Sequence, residues 1–236
     1  MPYQNPRATL WLCAYNGLTV ETHLSIVQEL RAWGDNLIYH VKGGDANIDR
    51  ARSKVASWFL AEPAEDAGDV LLMVDSDNAW QTGDLAYIAK RALEYGAVVG
   101  GIYPKRAFNA GAAMRMNETV EGSFTIGEEK LLAADFVGTG FIAIPRGVLE
   151  MVGTTLPTVK GDFKPFFMPY IVDDEYPTDD WAFCSRVREL GIPVLASTKP
   201  RLTHIGTYQY RMVDTAISPP PNKDITINLV REAVHA

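Results

Sequence analysis

Two aspartates separated by one serine, Asp75 and Asp77, directly follow the apolar run of residues 70–74. Such a run is typical of a buried β-strand, and carboxylates at its end lie where α/β sheets bind their ligands. One interpretation is a solvated turn, since Asp and Asn are common in turns. Another is a divalent cation that bridges a diphosphate, because Mg²⁺ takes oxygen ligands from one or two carboxylates and from substrate phosphates.

Two other metal-binding patterns fit this pair of aspartates less well. A calcium loop of the EF-hand type needs glycine at its sixth position and glutamate at its twelfth, where this chain has Trp80 and Ala86. A haloacid-dehalogenase-like phosphatase also carries two such aspartates after an apolar strand and uses Mg²⁺. Its motif usually lies near the start of the domain, whereas two strand–helix units precede Asp75. The phosphatase remains open as an alternative function.

The first half of the chain alternates short apolar runs with amphipathic stretches. The pattern predicts strands at residues 8–15, 36–42, 69–75 and 97–105, and helices at residues 19–34, 46–62 and 82–96. In the second of these helices, the residues expected on the buried side are Ile48, Val55, Trp58 and Phe59. This alternation predicts an α/β protein with a mostly parallel central sheet that is flanked by helices.

The second half of the chain is richer in strand-like segments and turns. A helix is predicted at residues 145–153 and another at residues 178–191, with Thr178 as its N-cap and Gly191 as its C-cap. Between them lies a loop rich in proline and phenylalanine. Its aromatic residues indicate either a loop packed against the core or a lid over a binding site.

Composition excludes some classes of function. The chain is 47% hydrophobic and 22% charged, with a net charge of -7, which disfavours a strongly basic nucleic-acid surface. Lys105, Arg106 and Arg115 still form a local basic group. No run approaches the ~20 apolar residues of a membrane span, and the N-terminus lacks a signal-peptide pattern. The two cysteines lie in apolar runs, as core thiols do, and we expect a cytoplasmic protein.

Several segments, in order, resemble the nucleotide-sugar glycosyltransferases of the GT-A fold, family 2 in particular. "DVLLMVDSDNAWQTGDLAYI" resembles their D-x-D region, and "DFVGTGFIAIPRGVLE" their acceptor-side segment. "TDDWAFCSRVRELGIPV" resembles the helix with the catalytic base of inverting members, and "RLTHIG" the late strand that adds a histidine to the metal. The chain departs from the pattern at Ser53, where asparagine is usual, and at Gly83, where proline is usual. The resemblance covers residues 8–206, and the compact single-domain form resembles short phage-type enzymes.

The resemblance implies a fold and a domain organisation. The chain would be one GT-A domain over residues 1–212, with a mostly parallel Rossmann-like sheet and a smaller, strand-rich acceptor side. Its nucleotide-binding half would cover residues 8–104 and its acceptor half residues 105–212. A Pro-rich C-terminal tail would follow at residues 213–236.

The resemblance also implies a metal-dependent enzyme that moves a sugar from a nucleoside-diphosphate sugar, a UDP-sugar in the first instance, to an acceptor hydroxyl. Asp77, Asp75 and His204 would bind Mn²⁺ or Mg²⁺, so Asp77 and His204 should meet in space. The nucleotide sugar would contact residues that follow the first strands: Tyr15, Asn16, Asp45, Arg52, Asp75 and Ser76.

The remaining implied residues belong to catalysis and to the acceptor. Asp180 corresponds to the general base of inverting members, and Asp179 is its catalytic neighbour. The donor-sugar and acceptor side would be lined by Gly138, Thr139, Gly140 and Trp181. The acceptor would be a glycan or a modified DNA base. A retaining enzyme on the same fold and a non-catalytic nucleotide-sugar binder remain open.

Overall fold

The computed structural model describes residues 5–106, 111–120, 124–172, 174–206 and 209–211. The predicted tail at residues 213–236 lies outside these ranges. The strands are β1 (Ala8–Ala14), β2 (Leu37–Gly43), β3 (Val70–Asp75), β4 (Asn78–Ala79), β5 (Val98–Gly101), β6 (Met114–Met116), β7 (Leu131–Val137), β8 (Phe141–Pro145), β9 (Val194–Ser197), β10 (Thr203–Ile205) and β11 (Gln209–Arg211). The helices are α1 (Val20–Trp33), α2 (Ile48–Ala61), α3 (Ala64–Ala67), α4 (Asp84–Tyr95), α5 (Arg146–Thr154) and α6 (Asp179–Glu189).

Eight strands form the central sheet, in the order β2-β1-β3-β8-β5-β9-β7-β6. The pairs β1–β2, β1–β3 and β5–β9 are parallel, and the other pairs are antiparallel. Only β7 and β8 therefore run against the common direction. Because helices cover this sheet, the predicted α/β class with a mostly parallel sheet is confirmed.

Strand β8 joins the two halves of the chain into one sheet. It lies antiparallel between β3 and β5, and Val74 pairs with Phe141 at one end of the ladder. All five β8 residues are buried, so their apolar pattern identifies a strand but carries no information about its direction. The predicted division near residue 104 is therefore not a boundary between two sheets.

The core lies on both faces of this sheet. Alternate β3 side chains enter opposite layers, because successive strand residues point to opposite faces. Leu71 and Met73 pack with residues of α2, α5 and α6, whereas Leu72 and Val74 pack with residues of α1 and α4. The result is a three-layer arrangement that fixes the carboxyl ends of the strands relative to both helix layers.

The buried face of helix α2 differs from the predicted one at two of the four predicted positions. Trp58 is 39% exposed and Ile48 is 40% exposed, whereas Val55 and Phe59 are buried as expected. The buried stripe also includes Arg52, whose side chain is 8% exposed. A hydrophobic pattern misses this stripe because an ion-paired arginine takes the place of an apolar residue.

Part of the phenylalanine-rich loop packs against the core. Phe166 and Phe167 are fully buried, and Phe167 stacks on Phe183 of α6 with ring centroids 4.5 Å apart. These contacts favour the packed alternative over a lid for this part of the loop, and they anchor the segment that leads into α6.

A second, three-stranded antiparallel sheet has the order β11-β10-β4. Its strand β4 begins at Asn78, shortly after the end of β3, and pairs with β10 so that Asn78 lies opposite His204. The small sheet thus brings a late segment of the chain to the end of β3. Among the described residues, no helix combines the length and the apolar character that are needed to cross a membrane.

Candidate active site

The carboxyl ends of β1, β2 and β3 lie side by side at one edge of the central sheet. The register places Cys13 of β1 opposite Lys42 of β2 and opposite Asp75 of β3. The residues that follow these strands therefore emerge at the same edge, where α/β sheets bind ligands. Thr19, beyond β1, donates its backbone N–H to the carbonyl of Ser76, which fixes the turn after β3.

The structure brings Asp77 and His204 together. Asp77 Oδ1 lies 3.5 Å from His204 Nε2, and the backbone N–H of Ile205 donates to the carbonyl of Asp77 at 2.7 Å. The pairing of β4 with β10 holds both backbones in place, so the contact does not depend on two flexible side chains. A carboxylate oxygen and an imidazole nitrogen that converge in this way are donors that Mn²⁺ accepts.

The backbone selects the tautomer of His204. Its Nδ1 lies 2.8 Å from the carbonyl oxygen of Pro104, and because a carbonyl only accepts, Nδ1 is the protonated nitrogen. In neutral imidazole, Nε2 then presents its lone pair towards Asp77. Metal-binding histidines commonly donate their other N–H to a carbonyl in this manner. Tyr103 packs edge-on against the ring at 5.5 Å and fixes its orientation.

The donors present fit a cation that shares its coordination with a substrate. Within the described ranges, no cluster of three or more His, Cys, Asp or Glu side chains could hold a metal by itself. Asp77 and His204 supply two ligands, and Mg²⁺ or Mn²⁺ sites of nucleotide enzymes often take the rest from phosphates and water. Burial raises the pKa of Asp77, but a hydrogen bond from protonated His204 Nε2 and the charge of Arg106 hold that pKa below its usual value. A metal would replace the Nε2 proton, so His204 would bind it in the neutral form.

Asp75 belongs to a different cluster from Asp77. Its Oδ1 accepts from Arg52 Nη2 at 2.6 Å, and Arg52 Nη1 donates to Asp179 Oδ2 at 2.5 Å. The buried guanidinium thus joins the end of β3 to the first turn of α6. Burial lowers the pKa of Arg52, but the carboxylates of Asp75 and Asp179 raise it well above its usual value. The arginine therefore stays charged.

Asp180 differs from Asp179 in its surroundings. Its Oδ1 accepts from the Thr178 hydroxyl and, at 2.9 Å, from the backbone N–H of Trp181. Thr178 is the N-cap residue of α6, as predicted, but its hydroxyl binds Asp180 rather than a backbone N–H. Burial raises the pKa of Asp180, against the opposing effect of Thr178. A carboxylate with a raised pKa accepts a proton more readily than an ordinary aspartate.

Positions 138 and 140 are glycines because neighbouring groups leave no room for a side chain there. A methyl group on Gly140 would lie 2.5 Å from Asn78 Nδ2 and 2.8 Å from Asp75 Oδ2, and one on Gly138 would lie 2.2 Å from Tyr103 Oη. Gly140 also donates its backbone N–H to Tyr103 Oη at 3.0 Å. Thr139 is buried between the two glycines. The structure therefore gives these glycines a packing role, and their contact with a sugar stays a prediction.

Trp181 forms part of an aromatic and cationic surface beside Asp180. It stacks on Phe136 of β7 with ring centroids 5.5 Å apart, and the Arg115 guanidinium lies 4.2 Å from the Trp181 ring centroid. Arg115 also reaches Glu175 at 3.5 Å. The tryptophan is partly exposed.

The predicted nucleotide contacts have varied surroundings. Tyr15 is 61% exposed, and Asn16 is also exposed beyond the end of β1. Asp45, by contrast, pairs with Arg50 at 2.6 Å and with Lys54 at 3.5 Å. The hydrogen bond from Arg50 lowers the pKa of Asp45 to about 2. Asp45 therefore organises the start of α2, and any ribose contact has to compete with these two cations.

Sequence reasoning did not identify several residues of this region. Tyr103 is buried against Gly140 and His204, and Asn78 is buried with its Nδ2 on the carbonyl of Gly140 at 2.9 Å. Asn78 was visible in the sequence as the polar residue after the aspartate pair. Tyr103 gave no signal, because a tyrosine in an apolar strand is usually a core residue. Arg106 pairs with Asp77 Oδ2 at 2.8 Å, so the predicted basic group is partly engaged in ion pairs.

Comparison with known proteins supports the fold and leaves the activity undetermined. No family model matches the chain, and no curated protein matches it. Among solved structures, the crystal structure of A197 from STIV matches with a TM-score of 0.54 and 17% sequence identity, over 97% of this chain and 100% of that chain. At this identity, the similarity shows a shared fold alone.

Proposed function

We propose that the chain is a divalent-cation-dependent glycosyltransferase of the GT-A type, which transfers a sugar from a nucleoside-diphosphate sugar to an acceptor hydroxyl. The observation that carries the proposal is the contact between Asp77 and His204, whose Oδ1 and Nε2 lie 3.5 Å apart at the carboxyl edge of the sheet. The order and position of the GT-A-like segments in the sequence support the same conclusion.

The cation would be Mn²⁺ or Mg²⁺, held by Asp77 and by neutral His204. When bound, it would offset the negative charge that develops on the diphosphate as the sugar leaves. The Nδ1–H bond of His204 to Pro104 keeps Nε2 oriented for this purpose. Asp75, which is bound to Arg52, would act on the donor side or on the metal through water rather than as a direct ligand.

Asp180 would serve as the general base. The acceptor oxygen attacks the anomeric carbon, the bond from that carbon to the diphosphate oxygen breaks, and the hydroxyl proton passes to the Asp180 carboxylate. The nucleoside diphosphate leaves with the bonding electron pair. Because the acceptor oxygen attacks the face opposite the leaving group, the configuration at the anomeric carbon is inverted. The raised pKa of Asp180 supports this assignment, because burial makes its carboxylate a better proton acceptor.

Arg52 and Asp179 would hold the donor and acceptor sides at a fixed separation. Arg52 is buried and binds both Asp75 and Asp179, so it ties the end of β3 to the helix that carries Asp180. Such preorganisation accelerates a reaction because reacting groups need not be positioned anew in each turnover. Asp179 would therefore position Asp180, and Asp180 would touch the acceptor.

The acceptor side favours a glycan as the first class to examine. Trp181 and Phe136 offer aromatic surface beside Asp180, and sugar rings pack on such surfaces through their apolar faces. A modified DNA base is the second class. Arg106 and Arg115, which belong to the predicted basic group, already pair with Asp77 and Glu175.

A screen of UDP-, GDP- and dTDP-sugars with Mn²⁺ tests the proposal. The wild-type protein should hydrolyse one of these donors slowly and should melt at a higher temperature in its presence. Asp77→Ala should lose both effects. If no donor stabilises the wild-type protein or is hydrolysed with any divalent metal, the proposed function is wrong.

Further measurements on the same proteins distinguish the alternative functions. The anomeric configuration of the product, read by NMR, distinguishes an inverting enzyme from a retaining one. Transfer of labelled phosphate to Asp75 would instead support a haloacid-dehalogenase-like phosphatase. Binding of a donor without turnover, unchanged in Asp180→Asn, would indicate a nucleotide-sugar binder.

A further inference from the structure

Asp77 is shared between two partners that differ in exposure. Its Oδ2 lies 2.8 Å from Arg106 Nη1, and its Oδ1 lies 3.5 Å from His204 Nε2. The His204 side chain is 12% exposed and is tied to the carbonyl of Pro104, whereas the Arg106 side chain is 55% exposed. Of the two partners, the arginine is the one that solvent allows to move.

The Arg106 guanidinium would repel a metal ion that binds Asp77. A divalent metal bound to Asp77 would lie within a few ångströms of Arg106, and like charges at such distances repel even near a protein surface. Metal without nucleotide would leave a carboxylate, a dication and a guanidinium together, with an excess of two positive charges. The ion pair in the ligand-free protein therefore opposes binding of the metal by itself.

The balance changes when a diphosphate enters with the metal. The diphosphate of a nucleotide sugar is a dianion, so it cancels the charge of the dication and leaves Arg106 to balance Asp77. A guanidinium that moves from a carboxylate to a phosphate exchanges one bidentate acceptor for another. Because the Arg106 side chain is 55% exposed, it can change partner without a change in the strands.

We propose that Arg106 is a placeholder cation, which neutralises Asp77 in the free protein, releases it to the metal and then binds the diphosphate. This inference rests on the proposed function and adds a regulation of the same site. Arg106 makes metal binding depend on the nucleotide, so the two ligands bind with positive coupling. The free protein would then retain little metal of its own.

Arg106→Gln tests this coupling, with Lys105→Gln as the matched control. The control removes the same charge from the neighbouring residue, whose side chain forms no ion pair within the described ranges. Titration calorimetry and the Mn²⁺ EPR signal would give the affinity for Mn²⁺ alone and for UDP at saturating Mn²⁺. GDP and dTDP would replace UDP if they are the diphosphates that bind.

Arg106→Gln should bind Mn²⁺ alone at least about threefold more tightly, because the metal no longer competes with Arg106 for Asp77 and is no longer repelled by it. The same variant should bind UDP with Mn²⁺ about tenfold more weakly, because a charged hydrogen-bond donor to phosphate is lost. Lys105→Gln should change both affinities by less than about twofold.

The results distinguish the role proposed for Arg106 from the proposed glycosyltransferase function. If the wild-type protein binds a nucleoside diphosphate with Mn²⁺ and Arg106→Gln behaves as Lys105→Gln does, the placeholder role is wrong and the proposed function stands. Weaker binding of Mn²⁺ alone by Arg106→Gln would contradict the placeholder role as well. If the wild-type protein binds no nucleoside diphosphate with any metal, both proposals are overturned.

Discussion

At the residue scale, Arg52 determines how the carboxylates of Asp75 and Asp179 face each other. Its guanidinium binds Asp75 at 2.6 Å and Asp179 at 2.5 Å, and its side chain is only 8% exposed. Arg52→Ala should lower the free energy of unfolding by roughly 3 to 5 kcal/mol, because two part-buried carboxylates would lose their counter-ion. Urea unfolding measures this loss. Arg50→Ala is the control, because it removes from the same helix an arginine whose side chain is 51% exposed. An equal loss in both variants would contradict the role of Arg52.

Asp180 should determine the acid side of the pH–rate profile. A general base works in its ionised form, so kcat should rise with pH through the pKa of Asp180, which burial places above the usual value of 3.8. Asp180→Asn should lower kcat by about 10²- to 10⁴-fold with little change in melting temperature. Steady-state kinetics between pH 4 and 9 check both statements. A variant that keeps its activity would exclude Asp180 as the base.

The sequence was informative about individual residues where the chemistry is strong. Asp77 and His204 were predicted to meet because of their residue types and the GT-A resemblance, and the structure places them 3.5 Å apart. Arg106 and Tyr103 were not assigned to the site. An arginine in a turn and a tyrosine in an apolar strand have common structural roles, so only their three-dimensional contacts with Asp77 and Gly140 identify them.

At the element scale, the Gly138–Gly140 turn keeps β8 close to the end of β3. Gly140→Ala should destabilise the protein by roughly 1 to 3 kcal/mol, because the added methyl group meets Asn78, Tyr103 and Asp75 within 2.8 Å. Gly147→Ala, in helix α5, is the matched control. No atom lies within 4 Å of a methyl group there, and alanine favours the helix. Thermal unfolding should separate the two variants, and equal melting temperatures would contradict the packing role.

The start of helix α4 should contribute a pH dependence of stability. Burial raises the pKa of Asp84 to about 6 from the usual 3.8, so the folded protein holds a proton there that the unfolded chain has lost. Stability from this group is therefore present below about pH 4 and is lost as the pH rises towards 6. The unfolding free energy of the wild-type protein, minus that of Asp84→Asn, should fall by roughly 1 to 3 kcal/mol between pH 4 and 7. A difference that stays constant would show that Asp84 titrates normally.

Secondary structure was the most predictable part of the fold. Helices α1, α4 and α6 lie within the ranges that periodicity and capping residues indicate. The prediction of the buried face of α2 was wrong at Trp58 and Ile48, because buried Arg52 interrupts the apolar pattern. The direction of β8 could not be predicted from the sequence, since a fully buried strand has the same apolar pattern whether it runs parallel or antiparallel.

At the scale of the whole molecule, the central sheet, the small sheet and helix α6 together bring residues from both halves of the chain to one region. The end of β3 supplies Asp75 and Asp77, the small sheet supplies His204, and α6 supplies Asp180. The three-layer core holds these elements from both faces. Long-range pairing of this kind is not encoded in local patterns, so only the class of fold could be predicted and not the order of the strands.

Pulsed EPR of Mn²⁺ with UDP tests most directly whether Asp77 and His204 share one cation. The wild-type complex should show ¹⁴N coupling from a directly bound imidazole together with ³¹P coupling from the diphosphate. The ¹⁴N coupling should vanish in His204→Gln and persist in His40→Gln, whose ring stacks on Trp11 away from Asp77. A wild-type spectrum with ³¹P coupling and no ¹⁴N coupling, or with ¹⁴N coupling that persists in His204→Gln, would contradict the shared site.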